Sequence, residues 1–163
     1  GRKVCVIGGG DSAVEDALIA AENGSEVTLI HRSTQFKARE SWYQAAVANP
    51  RISILTNASV TSLERLDDGN IRINVAVDGT ARSLDAAGVF VRLGIQPNSE
   101  LVRGLVEMDE AGYIVTDSSQ RTSRHEIWAA GDVCRPVCFS IAAATGHGAI
   151  AAKSIASSLN GKK

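Results

Sequence analysis

The sequence predicts an α/β fold: a parallel sheet wound with helices and interrupted by a small antiparallel meander. Three observations carry that expectation. Lys3 to Ile7 is a run of β-formers followed at once by glycines and a helical run, the pattern of a buried strand, a tight turn and a helix start. Short apolar strands then alternate with helices as far as Thr56, as crossovers between parallel strands require. Beyond Ser59 the period changes to two, with Asp-Gly turns between the runs, which is a hairpin signal.

The first turn reads Gly8-x-Gly10-x-x-Ala13. Gly8 permits a tight turn, Gly10 lets a pyrophosphate approach the backbone, and Ala13 is small enough for the helix to pack on the strand. The helix from Ala13 to Glu22 would offer unpaired N–H groups and the positive end of its dipole to a phosphate. With a strand before it and a helix after it, the turn predicts a Rossmann-like dinucleotide site. Asn23-Gly24 stops the helix, and Ser25 to His31 alternates as a second parallel strand. At the end of such a strand an acidic residue bonds a free ribose 2′-hydroxyl, whereas basic residues accept a 2′-phosphate. Here the strand ends His31-Arg32-Ser33, with Lys37 and Arg39 just beyond and no carboxylate at the reading position. NADP is therefore expected over NAD.

Ala38 to Ala48 is a second helix carrying Trp42 and Tyr43, stopped at Asn49-Pro50. Arg51 to Thr56 is a third strand. The meander then runs Ser59 to Leu66, Ile71 to Val77 and Thr80 to Leu84, with turns at Asp67-Asp68-Gly69-Asn70 and Asp78-Gly79; it replaces a crossover helix. Gly88 to Gly94 is expected as one more buried strand, returning to the same edge of the parallel sheet. Ile95-Gln96-Pro97-Asn98 breaks the pattern and sets a lobe boundary, giving residues 1–93 and 94–163. The second part reads as an amphipathic piece from Ser99 to Leu105, a polar turn at Asp109 to Gly112, and a short strand from Tyr113 to Thr116. A loop from Thr122 to Glu126 leads to a buried strand from Ile127 to Asp132. An alanine-rich helix from Ser140 to Leu159 follows, with Gly146 and Gly148 as close-packing positions.

At 163 residues and a formal net charge of -1, the chain supports one ordinary domain or two small lobes and shows no basic footprint for nucleic acid. No apolar run reaches the roughly 18 residues that span a bilayer, and no charged-then-apolar leader opens the chain; it reads as soluble and cytoplasmic. Cys5, Cys134 and Cys138 form neither a disulfide framework nor a Cys-x-x-Cys pair. Cys5 is expected as a small core residue. No metal-ligating set and no catalytic acid or base is assigned: His31 is expected beside the adenosine, and His125 and His147 as surface or packing residues.

Gly8-Gly-Gly-Asp-Ser-Ala13, His31-Arg32 followed by Phe36-Lys37-Ala38, Gly94-x-x-Pro97-Asn98, and Ala129-Ala-Gly-Asp-Val133 ahead of a Gly-x-Gly helix together resemble the low-molecular-weight thioredoxin reductase family. The resemblance implies an NADPH lobe inserted into an FAD lobe, with hydride passing from NADPH to FAD and on to a Cys-x-x-Cys disulfide. It implies cofactor contacts from Gly8, Gly9, Gly10, Asp11, Ser12 and Ala13 to the pyrophosphate, and from Arg32 and Lys37 to the 2′-phosphate. Gly94 would line the nicotinamide nucleotide, and Gly131 and Asp132 the flavin. Ser33 stands where the family usually has a second arginine, and Phe139, Ser140 and Ile141 where it has Arg-Gln-Ala near the flavin ring. The helix starting at Ser140 and Ile141 would still aim its positive end at the flavin.

The same resemblance places the redox Cys-x-x-Cys and the first FAD motif upstream of Gly1. The expectation is therefore an NADPH lobe followed by an incomplete FAD-lobe segment ending in a helix: a fragment, or a chain completed by a partner. A thioredoxin-like disulfide protein would be the acceptor and the parent a homodimer. A ferredoxin- or flavodoxin-NADP reductase without a dithiol and a non-catalytic NADP-binding module are the alternatives.

Overall fold

The computed structural model describes residues 1–160, which divide into two compact units, 1–94 and 95 onward. In the first unit, β1 (Lys3–Gly8), β2 (Glu26–Ile30), β3 (Ile52–Leu55) and β7 (Gly88–Arg92) form a parallel sheet in the order β3-β2-β1-β7. A separate antiparallel sheet holds β4 (Ala58–Arg65), β5 (Ile71–Val77) and β6 (Thr80–Ala86), with β5 central.

Alternation along the strands decides what lies on each face. Val6 and Leu29 point to one side, where α1 (Asp11–Glu22) covers them with Ala13, Val14, Ala17 and Ala21, all buried. Trp42 and Ala46 of α2 (Glu40–Ala48) join the same cluster. Cys5, Ile7 and Ile30 point to the other side, against Ile73, Val75 and Val77 of β5. The sheet thus lies between two helices and the meander, and small alanines let α1 approach it closely.

Two expectations about β7 are corrected. It pairs with β1, at the edge opposite β3, rather than returning to the edge from which the chain entered the meander. The meander packs across the face of β1 and β2, so it delivers the chain beyond β1. Nor is β7 buried: Phe90 and Val91 are 43% and 54% exposed, because an edge strand has a neighbour on one side only.

The second unit contains a 3-10 turn at Glu100–Val102, another at Asp132–Cys134, and the helix α3 (Ile141–Asn160). The strands expected at Tyr113 to Thr116 and Ile127 to Asp132 are replaced by isolated bridges, Met108 with Ile114 and Arg121 with Trp128. An apolar run becomes a strand only where a neighbour accepts its backbone groups, and here those groups are satisfied one at a time. Ile127 N–H donates to Arg124 O, Ala129 N–H to Gln120 O, and Ile114 N–H to Val133 O. A small core of Val106, Ile114 and Ala129, flanked by Val102, Met108, Ile127 and Val133, holds this unit together.

Candidate functional site: the glycine turn and the loop after β2

The turn between β1 and α1 lies at the carboxyl end of the parallel strands, where open α/β sheets bind ligands. Its three glycines are required by different neighbours. A side chain at Gly8 would strike the Arg92 carbonyl and the Ala13 methyl, and one at Gly9 would strike the His31 ring. A side chain at Gly10 would meet nothing within 4 Å. Gly10 also has an ordinary extended backbone, φ -97°, so neither conformation nor packing within the chain calls for glycine there. The space above Gly10 is open and borders the start of α1. Its carbonyl accepts from the amides of Ala13 and Val14; the Asp11 and Ser12 amides at the start of α1 find no acceptor among the described residues. Ser12 is exposed and Ala13 buried.

The loop from 31 to 39 folds over this turn. Lys37 N–H donates to Gly9 O at 2.7 Å and Ala38 N–H to the same oxygen at 3.2 Å. The His31 ring rests against Gly9, with its Nε2 3.0 Å from both the Gln35 carbonyl and the Ser33 hydroxyl. A tilted contact to Phe36 (4.6 Å between centroids) and from Phe36 to Tyr43 (4.8 Å) ties the ring to α2. Arg32 and Lys37 are exposed, and neither side chain is hydrogen-bonded or ion-paired among the described residues. Arg39 donates to Asp11 from its backbone N–H (2.7 Å) and its Nε (3.0 Å). Those bonds, the backbone one first, hold the Asp11 carboxyl below the usual carboxylate range.

Gly94 is exposed, with φ +107°, a left-handed conformation that itself favours glycine. Two open clefts of about 570 and 630 Å³ lie at the other end of this unit, around Lys3, Glu26, Arg51, Asp68 and Asp85, and contain none of the candidate residues.

In the second unit, Gly131 is buried with φ +82°. A side chain there would press on Ala144 of α3 at 3.4 Å, and its amide donates to His147 Nδ1 at 3.3 Å. His147 is thus a packing residue, as expected. Asp132 is exposed and its carboxylate has no partner among the described residues. Ser140 caps α3, its hydroxyl accepting from Ala143 N–H at 3.2 Å. Ile141, the first residue of α3, is 88% exposed.

The chain matches the model of the pyridine nucleotide-disulphide oxidoreductases over residues 1–148. It is 41% identical to a thioredoxin reductase of Mycolicibacterium smegmatis over 134 residues, 81% of this chain and 43% of that protein. It is 36% identical to the mitochondrial thioredoxin reductase 1 of Arabidopsis thaliana over 93% of this chain and 42% of that protein. The crystal structure of Lactococcus lactis thioredoxin reductase superposes with a TM-score of 0.74 at 34% identity, covering 93% of this chain and 51% of that one. The chain belongs to the pyridine nucleotide-disulphide oxidoreductase family. It spans about half the length of the relatives it matches.

Of the residues singled out in the first unit, the turn from Gly8 to Ala13 and the loop carrying His31, Arg32 and Lys37 meet at the carboxyl end of the strands, with Gly8, Gly9 and Ala13 buried and Arg32 and Lys37 exposed. Gly94 follows β7 and makes no hydrogen bond to them among the described residues. Gly131, Asp132, Ser140 and Ile141 lie in the second unit. The ion pair of Arg39 with Asp11 escaped the sequence reading. The two residues are 28 positions apart, and a charge pair at that spacing leaves no periodic signal.

Proposed function

We propose that residues 1–94 are the NADPH-binding lobe of a flavin-dependent oxidoreductase of thioredoxin reductase type, and that the second unit is the trailing part of its FAD lobe. The observation that carries this reading is Gly10: a glycine that the chain itself does not need, facing open space beside unpaired helix amides, with two unpaired cations on the adjoining loop.

Each group has a defined task. The Asp11 and Ser12 amides and the dipole of α1 would hold the pyrophosphate. Arg32 and Lys37 would hold the 2′-phosphate as charge-assisted donors, and a nucleotide without that phosphate would leave them in water. In the second unit, the Asp132 carboxylate can accept from flavin hydroxyls, and the amino-terminal end of α3 faces outward to favour electron-rich atoms. When bound, NADPH would supply a hydride and the flavin would relay its electrons towards a disulfide. The chain's own work is to bind and orient, since this chemistry needs no side-chain acid or base here.

The acceptor would be a thioredoxin-like disulfide protein, which the names of the thioredoxin reductases that this chain resembles support, and the whole enzyme would be a dimer. The remaining half of the FAD lobe, in the same polypeptide or a partner chain, would cover the apolar side chains that α3 leaves in the open, among them Ile150 and Leu159. Three free cysteines suit the reducing cytoplasm. The test is Arg32→Ala: by calorimetric titration it should weaken NADPH by about 1.5–3 kcal/mol, the worth of a hydrogen bond to a charged group, and leave NADH nearly unchanged. Equal loss for both nucleotides would remove Arg32 from the 2′-phosphate site.

A further inference from the structure

We propose that Asp11 is a positioning residue for nucleotide selection: through Arg39 it holds the loop bearing Arg32 and Lys37 against the glycine turn. The inference rests on the nucleotide reading above and adds what fixes its selectivity. Residues 31–39 form no helix or strand, so two cations on this segment would sample many positions unless the loop were fastened.

The fastening is at the carboxyl end of the loop. Gly9 O accepts from the Lys37 and Ala38 amides, and Asp11 takes both the backbone N–H and the Nε of Arg39. The Arg39 guanidinium also lies over the Trp42 ring, 4.3 Å from its centroid, linking the clamp to α2. The Asp11 and Arg39 side chains are 41% and 64% exposed, and an isolated ion pair that exposed contributes little. The backbone donor changes this, because it fixes the chain two residues after Lys37 rather than a flexible side-chain tip.

The pairing has two electrostatic consequences. An unpaired carboxylate in the first turn of α1 would repel a pyrophosphate at the same helix end; Arg39 offsets that charge. Conversely, Arg39 is occupied, so of the three cations on this loop Arg32 and Lys37 are the ones left to a 2′-phosphate. Asp11 acts on the nucleotide through the loop, not by touching it.

The test uses the full chain, with Asp11→Ala, Asp11→Asn and Arg39→Ala each titrated with NADPH and with NADH, and hydrogen exchange of residues 32–39 followed without nucleotide. Asp11→Ala should lower the NADPH-to-NADH affinity ratio about three- to tenfold, the range that one lost hydrogen bond allows, and speed exchange across the loop. Asp11→Asn keeps an oxygen for the Arg39 amide and should recover part of both. Arg39→Ala, at the cap of α2, removes the guanidinium but keeps the backbone N–H that Asp11 accepts, and should shift the ratio in the same direction by less than Asp11→Ala. An NADPH-selective wild type whose ratio and exchange are unchanged in Asp11→Ala overturns the clamp and leaves the site standing. A wild type that binds neither nucleotide removes the reading beneath it, and the clamp falls with it.

Discussion

At Gly8 and Gly9 a side chain would collide with the protein, whereas at Gly10 it would enter open space. That difference separates folding from binding. Gly9→Ala must displace the His31 ring and should cost about 1–3 kcal/mol of stability, as overpacking does, measured by denaturant unfolding. Gly10→Val should unfold at nearly the wild-type denaturant concentration yet bind neither NADPH nor NADH; retained affinity would place the pyrophosphate elsewhere. The cysteines are graded in the same way. Burial pushes the Cys5 thiol up to about 11 and raises that of Cys134 as well, and the thiolate is the reactive form. Cys138 is exposed, so iodoacetamide at neutral pH should label Cys138 first and Cys5 only after unfolding, as peptide mass mapping would show.

Among the elements, the meander is as important to the sheet as α1. Ile73 in β5 is fully buried under the parallel strands, whereas Leu63 in β4 is 48% exposed. Ile73→Ala should cost about 2–5 kcal/mol and Leu63→Ala within about 0.5 kcal/mol, compared by chemical denaturation. Alternation along β5 and the Asp78-Gly79 turn made this sheet legible in the sequence, just as the glycines made β1 and α1 legible. The placement of β7 was not legible, because it depends on which face of the sheet the meander covers. The runs at Tyr113 and Ile127 have strand-like composition, but their backbone groups find single partners rather than a ladder, and composition does not report on partners. The candidate site was legible where it follows local motif, at Gly8 to Ala13 and at Arg32 and Lys37. It was not legible where it depends on contacts across the fold, as for Asp11 with Arg39 and His31 with Gly9.

At the scale of the molecule, two units with separate cores carry two sets of candidate residues. The first has a sheet covered on both faces and a strand-end site formed by its own residues. The second has a small core and a helix with Ile141, Ile150 and Leu159 in the open. The family match runs across both units and the chain spans about half the length of the thioredoxin reductases it matches; nucleotide binding is proposed for the first unit. The most direct test of that claim is calorimetric titration of the wild-type chain with NADPH and, separately, with NADH. The account predicts one site per chain and tighter binding of NADPH, with the preference falling as salt screens Arg32 and Lys37. Equal affinity for the two nucleotides, or binding of neither, would contradict it.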